Sequence, residues 1–242
     1  MRGAENLARR PNKYLSLVAW LLPMSKFKIW LLRRIGNEIG ENARLGPVLV
    51  ISCGRFMLAD DTVIFPMNLF RNLAAVKMGR GAIIGQLNQF TAAPLYQQVS
   101  DRAGFLSLGE QAAFTNRHYV DCSGQVLLRP YAVVGGVKTT VQTHQIDLKH
   151  NRIGVGKVVI DENAITVTHC VILMDAYLPP RSVLAAHSLL MKFRDDHEHK
   201  SGLYAGSPAR FVHEFDHFIW WNRETWQTTA TEFDDSTFDP IP

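Results

Sequence analysis

The residues of this 242-residue chain best suited to moving a proton near neutral pH are its nine histidines. An imidazole with an unperturbed pKa of about 6.5 is mostly neutral there and can accept a proton from a hydroxyl. His144 has the most informative position, because in Val141-Gln142-Thr143-His144-Gln145-Ile146-Asp147 a regular apolar spacing gives way to the polar stretch 145–158. His118 lies beside Arg117 and near Asp121, and two readings stay open for it: a residue lining an acceptor pocket, or a satisfied structural histidine. His169 and His187 fall between apolar positions and are expected to face outward, while His150, His213 and His217 have no context that lifts them. His197-Glu198-His199 belongs to a charged stretch and reads as solvated rather than as a metal site. Cys53, Cys122 and Cys170 are widely separated and form no C-x-x-C pair, which argues against a disulfide framework or structural zinc. Cys122 and Cys170 read as small packing residues. Gly154-Val155-Gly156-Lys157 lacks the spacing of a phosphate loop. No metal is expected.

The elements that must position His144 are set by an internal repeat. Ile160, Thr166, Ile172, Leu178, Leu184 and Leu190 recur every sixth residue, and Ala164, Cys170, Ala176, Ser182 and Ser188 stand at a fixed offset, all of them small. Helices repeat apolar positions at three and four, strands at two, so neither fits. A triangular coil does: each six-residue side is a short strand with its first residue inward and a small residue near the corner. The same phase recurs upstream in Ile39, Leu45, Ile51 (with Ala43 and Leu49 at the second position), in Leu58, Ile64, Phe70, and in Met78, Ile84, Phe90. It continues in Leu108, Phe114, Val120 and in Leu128, Val134. Breaks at 91–107, 121–127 and 141–158 are polar, charged or Gly-rich and read as loops leaving the coil.

With 47% hydrophobic residues the chain can bury one full core. The net charge of +4 is modest and no nucleic-acid partner is expected, but cations cluster early: Arg2, Arg9, Arg10, Lys13, Lys26, Lys28, Arg33 and Arg34. Tyr14 to Met24 is apolar apart from Ser16, yet it contains Pro23 and is far shorter than the roughly 20 residues of a spanning helix. A charged start and an apolar stretch also suit a secretory signal, which stays as an alternative reading although no small-x-small cleavage site follows before Lys26 and Lys28. Trp20 to Arg34 mixes aromatics, aliphatics and cations, which suits either an interfacial membrane anchor or a helix packed on the protein's own body. Open coil ends call for covers. The segment Trp20 to Ile35 is expected to supply one helix and Glu214 to Trp226 another, with a poorly ordered tail from Thr228. The expected organisation is 1–38 helical, 39–212 β-helix with loops at 91–107 and 141–158, and 213–242 C-terminal helix and tail. A cytoplasmic protein is expected, with possible peripheral contact at the inner face of the membrane.

The repeat is followed by Leu203-Tyr204-Ala205-Gly206-Ser207-Pro208-Ala209-Arg210-Phe211-Val212. That pairing resembles the closing pattern of the hexapeptide-repeat acyltransferases. Arg117 to Gly124 and Val141 to Asp147 are similar to segments of their sugar and surface-polysaccharide O-acetyltransferase subgroup. The chain departs from the family in carrying Asp161, Val167, Leu173, Pro179 and Ala185 where family coils usually have Gly. The resemblance implies an all-β, left-handed parallel β-helix with N-terminal and C-terminal capping helices, assembled as a homotrimer with sites between neighbours. It implies acyl transfer from acetyl-CoA or another acyl-CoA to a hydroxyl of a sugar or polysaccharide precursor in a bacterial cell, directly, with His144 as general base. Asn116, His118 and Asp121 would bind the acceptor. Coenzyme A, in the groove between prisms, would meet Thr168 and Ala186 along its arm and Lys192 and Arg210 at its phosphates. Rival readings are a non-catalytic scaffold, a metal-dependent hydratase lacking a matching histidine set around His144, and an acetyltransferase for an antibiotic or small sugar.

Overall fold

Residues six apart along Ile160–Leu190 fall on three different sheets. In the computed structural model, which describes residues 11–193, 199–215 and 217–225, Ile160 pairs between Leu128 and Leu178. Thr166 pairs between Val134 and Leu184, and Ile172 between Val141 and Leu190. Lys157 N reaches Asp175 Oδ1 eighteen residues on, one turn of three six-residue sides. The chain is thus mostly β, a three-sided parallel β-helix. A first face runs from Glu38–Ile39 to Tyr177–Leu178, a second from Arg44–Leu45 to Val183–Leu184, and a third from Leu49–Ile51 to Leu189–Leu190. Beyond the last turn, Leu203–Gly206 extends the second face and Ala209–His213 folds back on it antiparallel.

The inward positions Ile160, Thr166, Ile172, Leu178, Leu184 and Leu190 are fully buried, as are the small residues at the offset. Up the axis of the early turns runs an aromatic column of Trp20, Phe56, Phe70, Phe90 and Phe114, with ring centroids 4.5, 5.3, 4.9 and 5.2 Å apart in that order. A second column holds the corner between the second and third faces. Asn68 Oδ1 accepts from Asn88 N at 2.8 Å, Asn88 Oδ1 from His118 N at 2.9 Å, and His118 Nδ1 from Thr139 N at 3.1 Å. Each side chain satisfies the backbone of the next turn, where an unpaired buried N–H would be costly.

Two interruptions leave the corner between the third and first faces. One carries helix α3, Pro94–Val99, here called so because two helices precede it: α1, Lys13–Leu21, and α2, Lys26–Arg34. The other, within the stretch read from sequence as a loop, is an antiparallel hairpin of His144–Asp147 and Arg152–Val155. Asn12 and Ser25 cap the starts of α1 and α2 with side-chain acceptors. Helix α1 packs on Leu49–Ile51 and α2 on Glu38–Ile39, at the first turn. Lys28 is buried between them, and its Nζ donates to Trp20 O, Leu22 O and Gly46 O at 2.7, 2.9 and 2.7 Å. Burial pulls its pKa down to about 8. Among the described residues no helix is long and apolar enough to cross a membrane.

Two expectations are corrected. Ile51 and Leu49 point outward, and Val50 and Val48 fill the interior instead. That side of the coil is one residue short: Leu45 pairs with Ile64 and Val50 with Phe70, five residues against six, and α1 and α2 dock there through Val48 N to Trp20 O and Lys28 Nζ to Gly46 O. Where a helix over Glu214 to Trp226 is expected, the described residues of the C-terminal segment form a 3-10 turn, Ile219–Asn222. Adjacent Trp220 and Trp221 face different surroundings. Trp220 packs on the outward stripe of the second face, Val63, Ile83, Ala113, Val133 and Ile165, while Trp221 closes on Phe215 and Phe218. Arg223 anchors the turn by stacking on Trp220, donating to Asn163 Oδ1 at 2.8 Å and bonding Tyr131 O. The tail from Thr228, the early cations Arg2, Arg9 and Arg10, and the pair His197 and Glu198 lie outside the described residues.

Candidate functional site

The hairpin and α3 leave the same corner, and beside them lies a cluster of hydrogen-bonded polar side chains centred on Asp121. The third-face register pairs Val120 with Val141, so Asp121 lies one turn below Gln142 and Thr143. Asp121 Oδ2 accepts from His144 Nδ1 at 2.8 Å, from Thr143 N at 2.9 Å and from Thr143 Oγ1 at 2.9 Å. Its Oδ1 accepts from Ser123 Oγ at 2.5 Å and from Ser123 N at 3.1 Å. Burial alone would push the Asp121 carboxyl up. Hydrogen bonds from Ser123, Thr143 and His144 outweigh it, and the pKa lies below the ordinary value. The group is therefore a carboxylate.

A carboxylate only accepts, so the shared proton is on His144 Nδ1, and in the neutral ring the lone pair is then on Nε2. Exposure agrees with that division, the His144 side chain being 37% exposed and Asp121's 9%. Tyr96 of α3 is buried beside the imidazole, with ring centroids 5.8 Å apart. Its hydroxyl pKa is raised by burial and then by the nearby Asp121 charge. The corner is tightly built: Gly124 N donates to Thr143 Oγ1 at 2.8 Å, and a Cβ on Gly124 would lie 1.8 Å from Gly156 O. At the foot of the hairpin a cleft of about 330 Å³ is lined by Arg102, Gln125, Val155, Gly156, Lys157 and Asp175 among others.

Of the residues expected at the site, Asp121 and His144 come together, but Asp121 orients the ring rather than meeting an acceptor, because both its oxygens are saturated. His118 is also corrected. It is 1% exposed, its Nδ1 accepts from Thr139 N, and its Nε2 is 2.9 Å from Thr115 Oγ1. Burial lowers its pKa to about 4, and it is a structural member of the corner column, not a pocket wall. Asn116 is exposed on the corner between the second and third faces, its Oδ1 accepting from Gln86 N at 2.6 Å. Thr168 and Ala186 lie one above the other on that corner, linked by His187 N to Thr168 O at 3.0 Å. Arg210, paired with Ala205 in the closing hairpin, continues it, while Lys192 follows Leu189–Leu190 toward the opposite end of the third face. Among the described residues, neither cation meets a carboxylate. Within one chain, then, the His144 cluster and the Thr168–Ala186–Arg210 edge flank the third face on opposite sides. Ser123 and Thr143 are the site residues that sequence reasoning missed as participants; pairing Val120 with Val141 would have found them.

No protein-family model and no curated protein matches the chain. Solved structures do. A point mutant of AntD, an N-acyltransferase from Bacillus cereus, in complex with dTDP and coenzyme A, is 15% identical over 79% of this chain and 90% of that one, with a TM-score of 0.51. Another point mutant of AntD in the same complex is 14% identical over 80% and 90%, also at 0.51. The hexapeptide-repeat containing acetyltransferase VCA0836 from Vibrio cholerae is 13% identical over 84% and 88%, at 0.44. At these identities the likeness to AntD is one of fold.

Proposed function

We propose that this chain is an acyl-CoA-dependent O-acyltransferase of the left-handed, hexapeptide-repeat kind, moving an acetyl or similar acyl group directly to a hydroxyl of a sugar or surface-polysaccharide precursor. The observation that carries the reading is the Asp121–His144 pair at an exposed corner, with Nδ1 protonated and Nε2 available as base. A hydroxyl is a weak nucleophile near neutral pH and requires such a base. His144 Nε2 takes the acceptor's proton as its oxygen attacks the thioester carbonyl. The tetrahedral oxyanion then collapses, the C–S bond breaks, and the leaving thiolate takes the proton from the imidazolium. Asp121 holds the tautomer and stabilises the transient positive charge, as a buried carboxylate does behind a catalytic histidine. A covalent cysteine intermediate is disfavoured, since burial raises the thiol pKa of both Cys122 and Cys170.

Coenzyme A is the donor that fits the residues of the second–third corner. Ala186 is small and exposed beside Thr168, which suits a narrow pantetheine arm, and Arg210 is an exposed cation at the end of the same edge. When bound, the acylated form, acyl-coenzyme A, would supply the activated thioester. Because that edge and His144 lie on opposite sides of the third face, one complete site needs two copies, which supports a homotrimer with shared sites. The hairpin carrying His144 also exposes Ile146, Leu148 and Ile153, apolar side chains that a neighbour would cover. The test is coenzyme A binding by calorimetry together with acetyl-CoA-dependent thiol release on sugar hydroxyl and amino-sugar acceptors. Turnover on hydroxyls that is lost in His144→Ala supports the reading. Turnover confined to amines overturns O-transfer, and absence of coenzyme A binding overturns the transferase.

A further inference from the structure

The N-terminal helices carry an apolar outer face besides the one they bury. On α1 and α2, Ser16 and Lys28 are buried, whereas Tyr14, Leu15, Val18, Leu21, Phe27 and Trp30 are between 48% and 69% exposed. A helix docked only to cover its own protein would carry a polar outer face opposite the buried one. The arrangement is fixed: Ala19, Trp20 and Leu32 are locked in the core, and Lys28 Nζ ties both helices to Gly46 O of the first turn. The outward residues are contiguous along two nine-residue helices and include three aromatics. An apolar patch of this kind marks an interaction surface.

Charge decides its occupant. From residue 11 to 37 there is no Asp or Glu, while Lys13, Lys26 and Arg34 are exposed around the patch and Arg33 turns its guanidinium onto Ile39 O and Gly40 O. Lys13 Nζ lies 5.0 Å from the Tyr14 ring and the Arg34 guanidinium 5.6 Å from the Trp30 ring, so cations and aromatics are interleaved. A second copy pressed on this surface would face the same cations with no acid to meet them. An anionic lipid surface offers both partners: hydrocarbon for the apolar ridge and headgroup phosphate or carboxylate for the cations. We infer that α1 and α2 form a peripheral docking surface for anionic membranes, lying in the interface rather than crossing it. The inference does not depend on the acyltransferase reading, because its readout is binding alone.

The test is sedimentation of the full chain with vesicles of phosphatidylcholine alone or of phosphatidylcholine with phosphatidylserine, at low and high salt. Binding is expected only to vesicles with phosphatidylserine, to weaken with salt as exposed charges are screened, and to fall by about tenfold or more in Phe27→Ser/Trp30→Ser. That double variant changes exposed side chains alone and should keep the parent's thermal midpoint. Three results would overturn the inference: equal recovery with and without phosphatidylserine, binding unaffected by the double substitution, or concentration-dependent self-association abolished by it. The last would assign the patch to a second copy.

Discussion

A single hydrogen bond, His144 Nδ1 to Asp121 Oδ2, divides the labour between an exposed ring and a buried carboxylate. If Asp121 sets the tautomer, Asp121→Asn should lower acyl transfer while leaving coenzyme A binding intact, because an amide can donate to Nδ1 and force the proton onto Nε2. His144→Ala removes the base altogether, and a loss of about 10² to 10⁴-fold is expected. Comparable kcat for Asp121→Asn and the parent would reduce Asp121 to a structural role. His118 makes a prediction about stability instead. Its folded pKa of about 4 lies below the ordinary 6.5, so between those values the unfolded chain binds the proton more tightly. Its stabilising effect is complete above pH 6.5 and lost as pH falls through 4, an effect of roughly 3 kcal/mol for an isolated site. Asp121, also depressed, acts in the same direction below the ordinary carboxylate range. Urea unfolding at stepped pH should show stability falling between pH 6.5 and 4, and a flat profile there would contradict the buried neutral imidazole.

The two excursions from the third–first corner, α3 and the hairpin, are what turn a regular coil into a site. Gly124 lets them meet: a methyl group there would clash with the backbone oxygen of Gly156, and the Thr143 contact would be pushed apart. Gly124→Ala should therefore destabilise the fold by about 1–3 kcal/mol and reduce turnover beyond that loss, measured as activity of the still-folded fraction against the thermal midpoint. The period-six pattern was legible over Ile160–Leu190 because each side there is a bare six residues with nothing docked on it. It slipped at Ile51, because the side from Leu45 to Val50 has one residue fewer than the side from Ile64 to Phe70, and alternating apolar residues there leave the phase open until the turns are stacked. Corners were harder to read. Asn42, Asp61, Gln111, Tyr131, Asn163 and Arg181 all turn with φ between +52° and +61°; Asn and Asp favour that region, but Gln111, Tyr131 and Arg181 announce no turn. The pairing of Asp121 with His144 was hidden as well, since it depends on stacking of adjacent turns and not on any short motif.

At the scale of the whole molecule, one face separates the two halves of the proposed chemistry. The base is on the third–first corner, and the small-residue edge ending in Arg210 is on the second–third corner. Three copies about a threefold axis can place one chain's third–first corner against a neighbour's second–third corner, and each interface then holds a full set. This arrangement has a consequence that a self-contained site lacks. His144→Ala and Arg210→Ala chains should each be impaired alone, the first in kcat and the second mainly in the KM for acyl-CoA, since a phosphate contact acts equally on ground and transition states. Assembled together from denatured or co-expressed chains in equal amounts, about a quarter of the interfaces would join an intact His144 from one chain to an intact Arg210 from another. Activity at limiting acyl-CoA should therefore rise above the average of the two parent variants, toward about a quarter of the unmodified level. Activity equal to that average, with a trimer demonstrated by light scattering, would mean that each chain completes its own site, and the donor would then have to bind beside the hairpin, where Arg102 and Lys157 line the cleft at its foot.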